Sequence, residues 1–101
     1  MRLKDKIAIV TGSSSGIGKE TAKLFAREGA TVILTARSKE KLANVEAEIR
    51  AAGGKCAIVP ADVTIETDCR HLIEETVKNF GRIDILVNNA GIADKHMPIT
   101  K

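Results

Sequence analysis

Hydrophobic positions along this chain come in two alternating arrangements. Short continuous runs at Ile7–Thr11, Thr31–Thr35, Cys56–Val59 and Ile83–Val87 are apolar and rich in β-branched residues, as expected of strands buried on both faces. Between them the apolar residues recur at helical spacing. The first such stretch runs from Gly16 to Glu28, with Ile17, Thr21/Ala22, Leu24 and Phe25 as its stripe and Gly29 placed to cap its end. In the second, Ser38 is a good N-cap, Leu42, Val45, Ile49 and Ala52 form the stripe, and Gly53-Gly54 end the helix. The third has Thr64 as its cap, Ile65, Cys69, Leu72, Ile73, Thr76, Val77 and Phe80 on one face, and Gly81 as its stop.

Strands and helices thus alternate with short connections, which predicts an α/β fold with a parallel sheet and right-handed crossovers. There is no tandem repeat, low-complexity tract or internal linker, so residues 1–101 read as one domain. From Ile92 to Lys101 the pattern stops and a loop is expected.

Composition narrows the function classes. With 44% hydrophobic and 29% charged residues the chain is globular material rather than a disordered tail. The net charge of +3 does not make a nucleic-acid binder, because basic residues are interleaved with acids and only two aromatics are present to stack on bases. Cys56 and Cys69 lack the paired spacing of a zinc site or a disulfide framework. No run approaches a membrane span, and Ile7–Val10 is too short for the core of a signal peptide, so a cytoplasmic protein is expected.

Candidate chemistry concentrates at Thr11-Gly12-Ser13-Ser14-Ser15-Gly16-Ile17-Gly18, where the first strand passes into the first helix. Unpaired N–H groups and the helix dipole favour an anion there, and glycines let a pyrophosphate approach the backbone. An ATP-binding P-loop is excluded: Gly18-Lys19 would close it, but Ser13 stands at its first position and Glu20 at its last. The spacing G-x-x-x-G-x-G also differs from the usual dinucleotide G-x-G-x-x-G.

That spacing, together with Asn88-Asn89-Ala90-Gly91 about 70 residues further on, resembles the short-chain dehydrogenase/reductase family. The family's Thr-Gly-x-x-x-Gly-x-Gly and Asn-Asn-Ala-Gly motifs both stand here without departure. The resemblance implies Rossmann-like three-layer βαβ units with sheet order 3-2-1-4, apparently truncated: the first, cofactor-binding half of the family fold. It implies that Gly12, Gly16 and Gly18 frame the pyrophosphate of a dinucleotide, with the Ile17 backbone facing it. It further implies that Asp62 and Val63 flank the adenine and that Asn89, Ala90 and Gly91 line the adenosine side. A turn that pins neighbouring strands is the other reading of Asn88 and Asn89.

The ribose-reading position lies at the end of the second strand. An NAD enzyme places Asp or Glu there, whereas this chain has Ala36, Arg37 and Ser38. A guanidinium pairs with a phosphate through two charge-assisted bonds, and Ser14 and Ser15 offer hydroxyl donors, so NADP is expected ahead of NAD. A solvated surface charge is the alternative for Arg37.

The family's chemistry belongs to a Ser, a Tyr-x-x-x-Lys pair and an Asn, and this chain contains no Tyr. No catalytic residue is assigned within it, and His96 is not nominated. Two functions stay open. One is the N-terminal portion of an NADP-dependent oxidoreductase moving hydride between nicotinamide and a carbonyl or alcohol, similar to the 3-oxoacyl-carrier-protein reductases. The other is a non-catalytic NADP(H)-binding module or inactive remnant. Small-molecule substrate and homo-oligomer formation are expectations for a full-length parent only. In the isolated chain, strand Ile83–Val87 would form an apolar edge, which predicts dimerisation or aggregation.

Overall fold

The computed structural model describes residues 2–14 and 16–88. Its elements follow one another as β1 (Ile7–Thr11), α1 (Gly16–Arg27), β2 (Thr31–Thr35), α2 (Lys39–Ala51), β3 (Lys55–Ile58), α3 (Glu66–Phe80) and β4 (Ile85–Asn88). The four strands are parallel in the order β3-β2-β1-β4, as expected, with Ile9 opposite Ile33 on one side and Leu86 on the other. The parity of a strand then sorts its side chains. Ala8, Val10, Val32 and Leu34 pack with Ala22 and Ala26 of α1 and Leu42, Val45 and Ile49 of α2. Ile7, Ile9 and Ile33 face the opposite way, onto Leu72 of α3. Helices therefore cover both faces, and β1 is buried along its whole length.

Several local expectations are corrected. In α1 the buried face is Gly18, Ala22 and Ala26, while Ile17 is 75% exposed and Leu24 is also exposed. Small residues win because the helix starts hard against the turn: a Cβ at Gly18 would stand 2.0 Å from the Gly12 carbonyl oxygen. In α2 the stripe is Leu42, Val45 and Ile49, with Ala52 exposed past the helix end. In α3 only Leu72 and Thr76 are buried, and Ile65, Ile73, Val77 and Phe80 remain exposed. Thr64 does not cap α3; Ile65 occupies that position without a side-chain bond, because the Thr64 hydroxyl donates to Asp62 Oδ1 at 2.6 Å.

Two strands are also displaced. β3 starts at Lys55 and ends at Ile58; Val59 still donates to the Leu34 carbonyl at 3.0 Å, but Pro60 has no N–H to extend the ladder. β4 starts at Ile85 rather than Ile83, since the Asp84 carboxylate itself takes the Ile7 N–H at 2.8 Å. No helix among the described residues is long and apolar enough to cross a membrane.

Candidate functional site

Crossovers run from β1 through α1 to β2 in one direction, and the chain returns through α3 to β4 on the other side of β1. The carboxyl ends of β1 and β4 therefore diverge, and a crevice opens there, where α/β sheets place their ligands. The turn between β1 and α1 sits over it. Gly12 (φ 65°) and Gly16 (φ 58°) adopt a left-handed backbone that a side chain would strain. At Gly16 a Cβ would meet nothing within 4 Å beyond its own chain neighbours and helix backbone. Exposed N–H groups at a helix start, beside glycines that keep the approach clear, suit the pyrophosphate of a dinucleotide.

The turn is held from below by Ser13 and Thr11, two residues of the glycine motif to which the sequence reading gave no role of their own. Ser13 is fully buried; its hydroxyl accepts the Thr35 N–H at 2.9 Å, and its own N–H donates to the Thr35 carbonyl at 3.3 Å. This ties the glycine turn to the end of β2. The Thr11 hydroxyl lies 3.0 Å from Asn88 Oδ1 and 3.3 Å from the Val87 carbonyl, which joins the ends of β1 and β4. Asn88 thus follows the strand-pinning reading. Such short polar side chains at strand ends were the available signal, but their partners lie 22 and 77 residues away and have no local signature.

One cleft of about 490 Å³ gathers five of the predicted residues: Gly12, Ser14, Arg37, Asp62 and Val63. Gly16 and Ile17 line a second, open groove with Lys19 and Leu24, and Gly18 is buried. Ser15, Asn89, Ala90 and Gly91 lie outside the described residues. Arg37 is exposed just after β2, and the one carboxylate among the cleft's described lining residues is that of Asp62. Asp62 faces the cleft from the β3–α3 loop. Its Oδ1 accepts both the hydroxyl and the N–H of Thr64, at 2.6 and 3.0 Å. Those two bonds, then the positive charge of Arg37, hold its carboxyl below the usual range, so it is ionised at neutral pH. The loop itself is fastened by Asp68, whose carboxylate accepts the Asp62 N–H at 2.8 Å, and by the Cys69 thiol, which donates to the Val63 carbonyl at 3.2 Å. Burial, reinforced by the Asp68, Asp62 and Glu66 carboxylates, pushes the Cys69 thiol up, so it stays protonated as the donor this bond needs.

Elsewhere a smaller cavity of about 160 Å³ lies between α1 and α2, lined by Lys23, Glu48 and Gly54 among others. Its charges already meet each other, with Lys23 Nζ 3.0 Å from Glu48 Oε1. The cleft at the ends of β1 and β2, by contrast, is lined by two cations, Arg37 and Lys41, that form no ion pair among the described residues, with hydroxyls and one carboxylate, Asp62.

Comparison with known proteins agrees with this geometry. The model of the family described as short chain dehydrogenase matches residues 6–100. An A-factor type gamma-butyrolactone 1'-reductase of Streptomyces virginiae is 51% identical over 86 residues, 85% of this chain and 34% of that protein. A 3-oxoacyl-acyl-carrier-protein reductase of Thermotoga maritima is 47% identical over 92 residues, 91% of this chain and 37% of that protein. Among solved structures, a variant actinorhodin polyketide ketoreductase with NADPH superposes with a TM-score of 0.83 at 38% identity, covering 86% of this chain and 33% of that one. The chain thus spans about a third of the length of the curated relatives it matches.

Proposed function

This chain belongs to the short-chain dehydrogenase family, and from that premise we propose that it forms the NADP(H)-holding portion of a reductase acting on a carbonyl or alcohol. The family's binding of a nicotinamide dinucleotide fits the residues present. Gly12 and Gly16, in left-handed backbone, and Gly18, packed against the Gly12 carbonyl, shape the turn that would frame the pyrophosphate, with the Ile17 backbone facing it. Asp62 and Val63 take the adenine side of the cleft, and the family motif assigns Asn89, Ala90 and Gly91 to the adenosine side. When bound, the nicotinamide supplies or accepts the hydride. This chain's residues bind and orient it, and since the 101 residues include no Tyr, none of them is given the phenolic proton-transfer role.

The observation that carries the choice of NADP over NAD is Arg37. It lines the cleft at the position where an NAD-binding site would hold a carboxylate, and Ser14 lines the same cleft as a hydroxyl donor. The nearest acid on that cleft, Asp62, is occupied by Thr64. A guanidinium there attracts a 2′-phosphate and offers it paired N–H donors. The NADPH in the solved ketoreductase supports the same choice.

Arg37→Asp tests the assignment in the intact protein, by titrating NADPH and NADH and following the fluorescence of the reduced nicotinamide. Charged hydrogen bonds contribute about 1.5–3 kcal/mol, so NADPH should weaken by roughly 10- to 100-fold, with NADH unchanged or tighter. An unchanged ratio of the two affinities sinks the NADP assignment. Turnover of carbonyl substrates with NADPH separates the reductase from a module that only binds the cofactor.

A further inference from the structure

The chain passes from β3 into α3 by a short bridge whose shape is fixed from the helix side. Val59 donates to the Leu34 carbonyl at 3.0 Å and Ala61 to the Ala36 carbonyl at 3.1 Å, so the backbone stays tied to β2 and the residue after it as far as Ala61. Asp62 and Val63, which line the cleft, come after the last of these ties. Asp62 is held instead through its own peptide groups. Its carbonyl accepts the Ile65 N–H at 2.9 Å, and its N–H donates to Asp68 Oδ2 at 2.8 Å.

Asp68 reaches far for its place in the helix. With Ile65 as the cap it is the third residue of α3, from which a Glu side chain ordinarily turns back to the N–H of the cap. That N–H is already given to the Asp62 carbonyl, and the Asp68 carboxylate passes over it to a residue outside the helix. Asp68 is half-buried, whereas Glu66, in the same turn, is exposed and pairs with Arg70 at 3.0 Å. The result is a fixed edge on the cleft wall. Asp62 Oδ1 is taken by Thr64, but Asp62 Oδ2 and the Val63 N–H have no partner among the described residues. An acceptor and a donor on adjacent residues match the amine and ring nitrogen on one edge of an adenine.

We propose that Asp68 is a positioning residue for adenine recognition: by accepting the Asp62 N–H it holds the Asp62 carboxylate and the Val63 peptide where the base is read. The inference rests on the reading of Asp62 and Val63 as the adenine side, and extends it to a residue that does not itself line the cleft. It is independent of Arg37, which acts on the ribose. The Cys69 thiol, 3.2 Å from the Val63 carbonyl, adds a second and weaker strap from the next helical residue.

The test titrates intact protein with NADPH and with reduced nicotinamide hypoxanthine dinucleotide phosphate, in which a carbonyl replaces the adenine amine, following the fluorescence of the reduced nicotinamide. One hydrogen bond to a charged group separates the two, so the unsubstituted protein should prefer NADPH about tenfold. Asp68→Ala should cut that preference to about twofold, as the carboxylate of Asp62 is no longer held in place. Asp68→Gln suits the third helical position but displaces the acceptor, and should lower the preference too. Asp68→Asn keeps an oxygen at the same reach and should retain most of it, and Glu66→Gln should not alter it. The ratio of NADPH to NADH affinity should stay the same throughout. If Asp68→Ala and Asp68→Gln weaken both cofactors by one factor, or weaken neither, the role of Asp68 is overturned and the adenine reading of Asp62 stands. If the unsubstituted protein binds the two cofactors alike, the adenine reading fails, and this inference with it; the choice of NADP is decided separately by Arg37→Asp.

Discussion

At the amino ends of the strands, charged groups are committed to the chain itself. Asp84 takes the Ile7 N–H at 2.8 Å, Arg82 Nε donates to Asp84 at 2.9 Å, and Arg82 Nη2 donates to the Asp5 carbonyl at 2.7 Å. At the carboxyl ends, short neutral side chains, Thr11 and Ser13, hold β1, β2 and β4 together, and the Asp62 and Asp68 carboxylates fasten the β3–α3 loop. The long cations there, Arg37 and Lys41, line a cleft with Asp62 and form no ion pair among the described residues. Both ends close the same four-stranded sheet, so the difference lies in the cations: Arg82 is bound to the chain at one end, and Arg37 and Lys41 line a cleft at the other.

The sharpest way to break that division is to disturb the carboxyl end through its backbone. Gly18→Ala puts a Cβ 2.0 Å from the Gly12 oxygen, a contact with main chain that no rotamer relieves. Overpacking of this kind should cost about 3 kcal/mol in chemical denaturation and remove dinucleotide binding together with it. Retention of both would mean that the turn and α1 are not in close contact. Ser13→Ala should follow at about 1–3 kcal/mol, because the buried Thr35 N–H loses its acceptor. Weaker binding of NADPH and NADH by the same factor would accompany it, since the turn is loosened without touching the ribose side.

How far the sequence disclosed this site depends on the range of the interactions. The strand–helix alternation, the sheet order, the Ser38 cap and the Gly81 stop rest on local or periodic signals, and the structure reproduces them. The gathering of Gly12, Ser14, Arg37, Asp62 and Val63 in one cleft follows from motif positions at successive strand ends. Periodicity failed in α1 and α3, where it records which residues share a face but not how closely the helix approaches the sheet. Gly18, Ala22 and Ala26 lie inward in α1, and Ile17 and Leu24 are left outside. Thr64 failed as a cap because an Asp two residues earlier competes for its hydroxyl, and helix rules do not weigh that competitor. Ser13 and Asp68 were illegible for a related reason: one finds its partner on another strand, and the other passes over its own helix cap to reach Asp62.

A smaller effect sharpens the comparison at Thr35. Its side chain is fully buried at the end of β2, and Oγ1 has no hydrogen-bond partner among the described residues. Thr35→Val keeps the shape and the N–H bond to Ser13 while removing the orphan hydroxyl, so stability should rise by up to about 1 kcal/mol. Thermal unfolding with and without NADPH distinguishes two cases. A gain in the free protein with unchanged affinity makes the hydroxyl irrelevant to the ligand; a loss of affinity assigns it to the site.

Asp84 tests the amino end, where the effect should be smallest and should leave the cleft untouched. The Ile7 N–H, and then the Arg82 guanidinium, hold its carboxyl below the ordinary value of 3.8. A carboxyl whose pKa is lower in the folded than in the unfolded chain stabilises above the unfolded value, and that contribution disappears as pH falls through the folded one. Unfolding measured from pH 6 downwards should therefore show a loss of stability beginning near pH 4, and Asp84→Asn should flatten that part of the profile. The Asn side chain keeps an oxygen for the Ile7 N–H but carries no charge for Arg82. NADPH and NADH affinities at neutral pH should stay in the same ratio, because no residue of the cleft touches this pair. A shifted ratio in Asp84→Asn would show that charge at the two ends is coupled through the sheet, and the division of use between them would not hold.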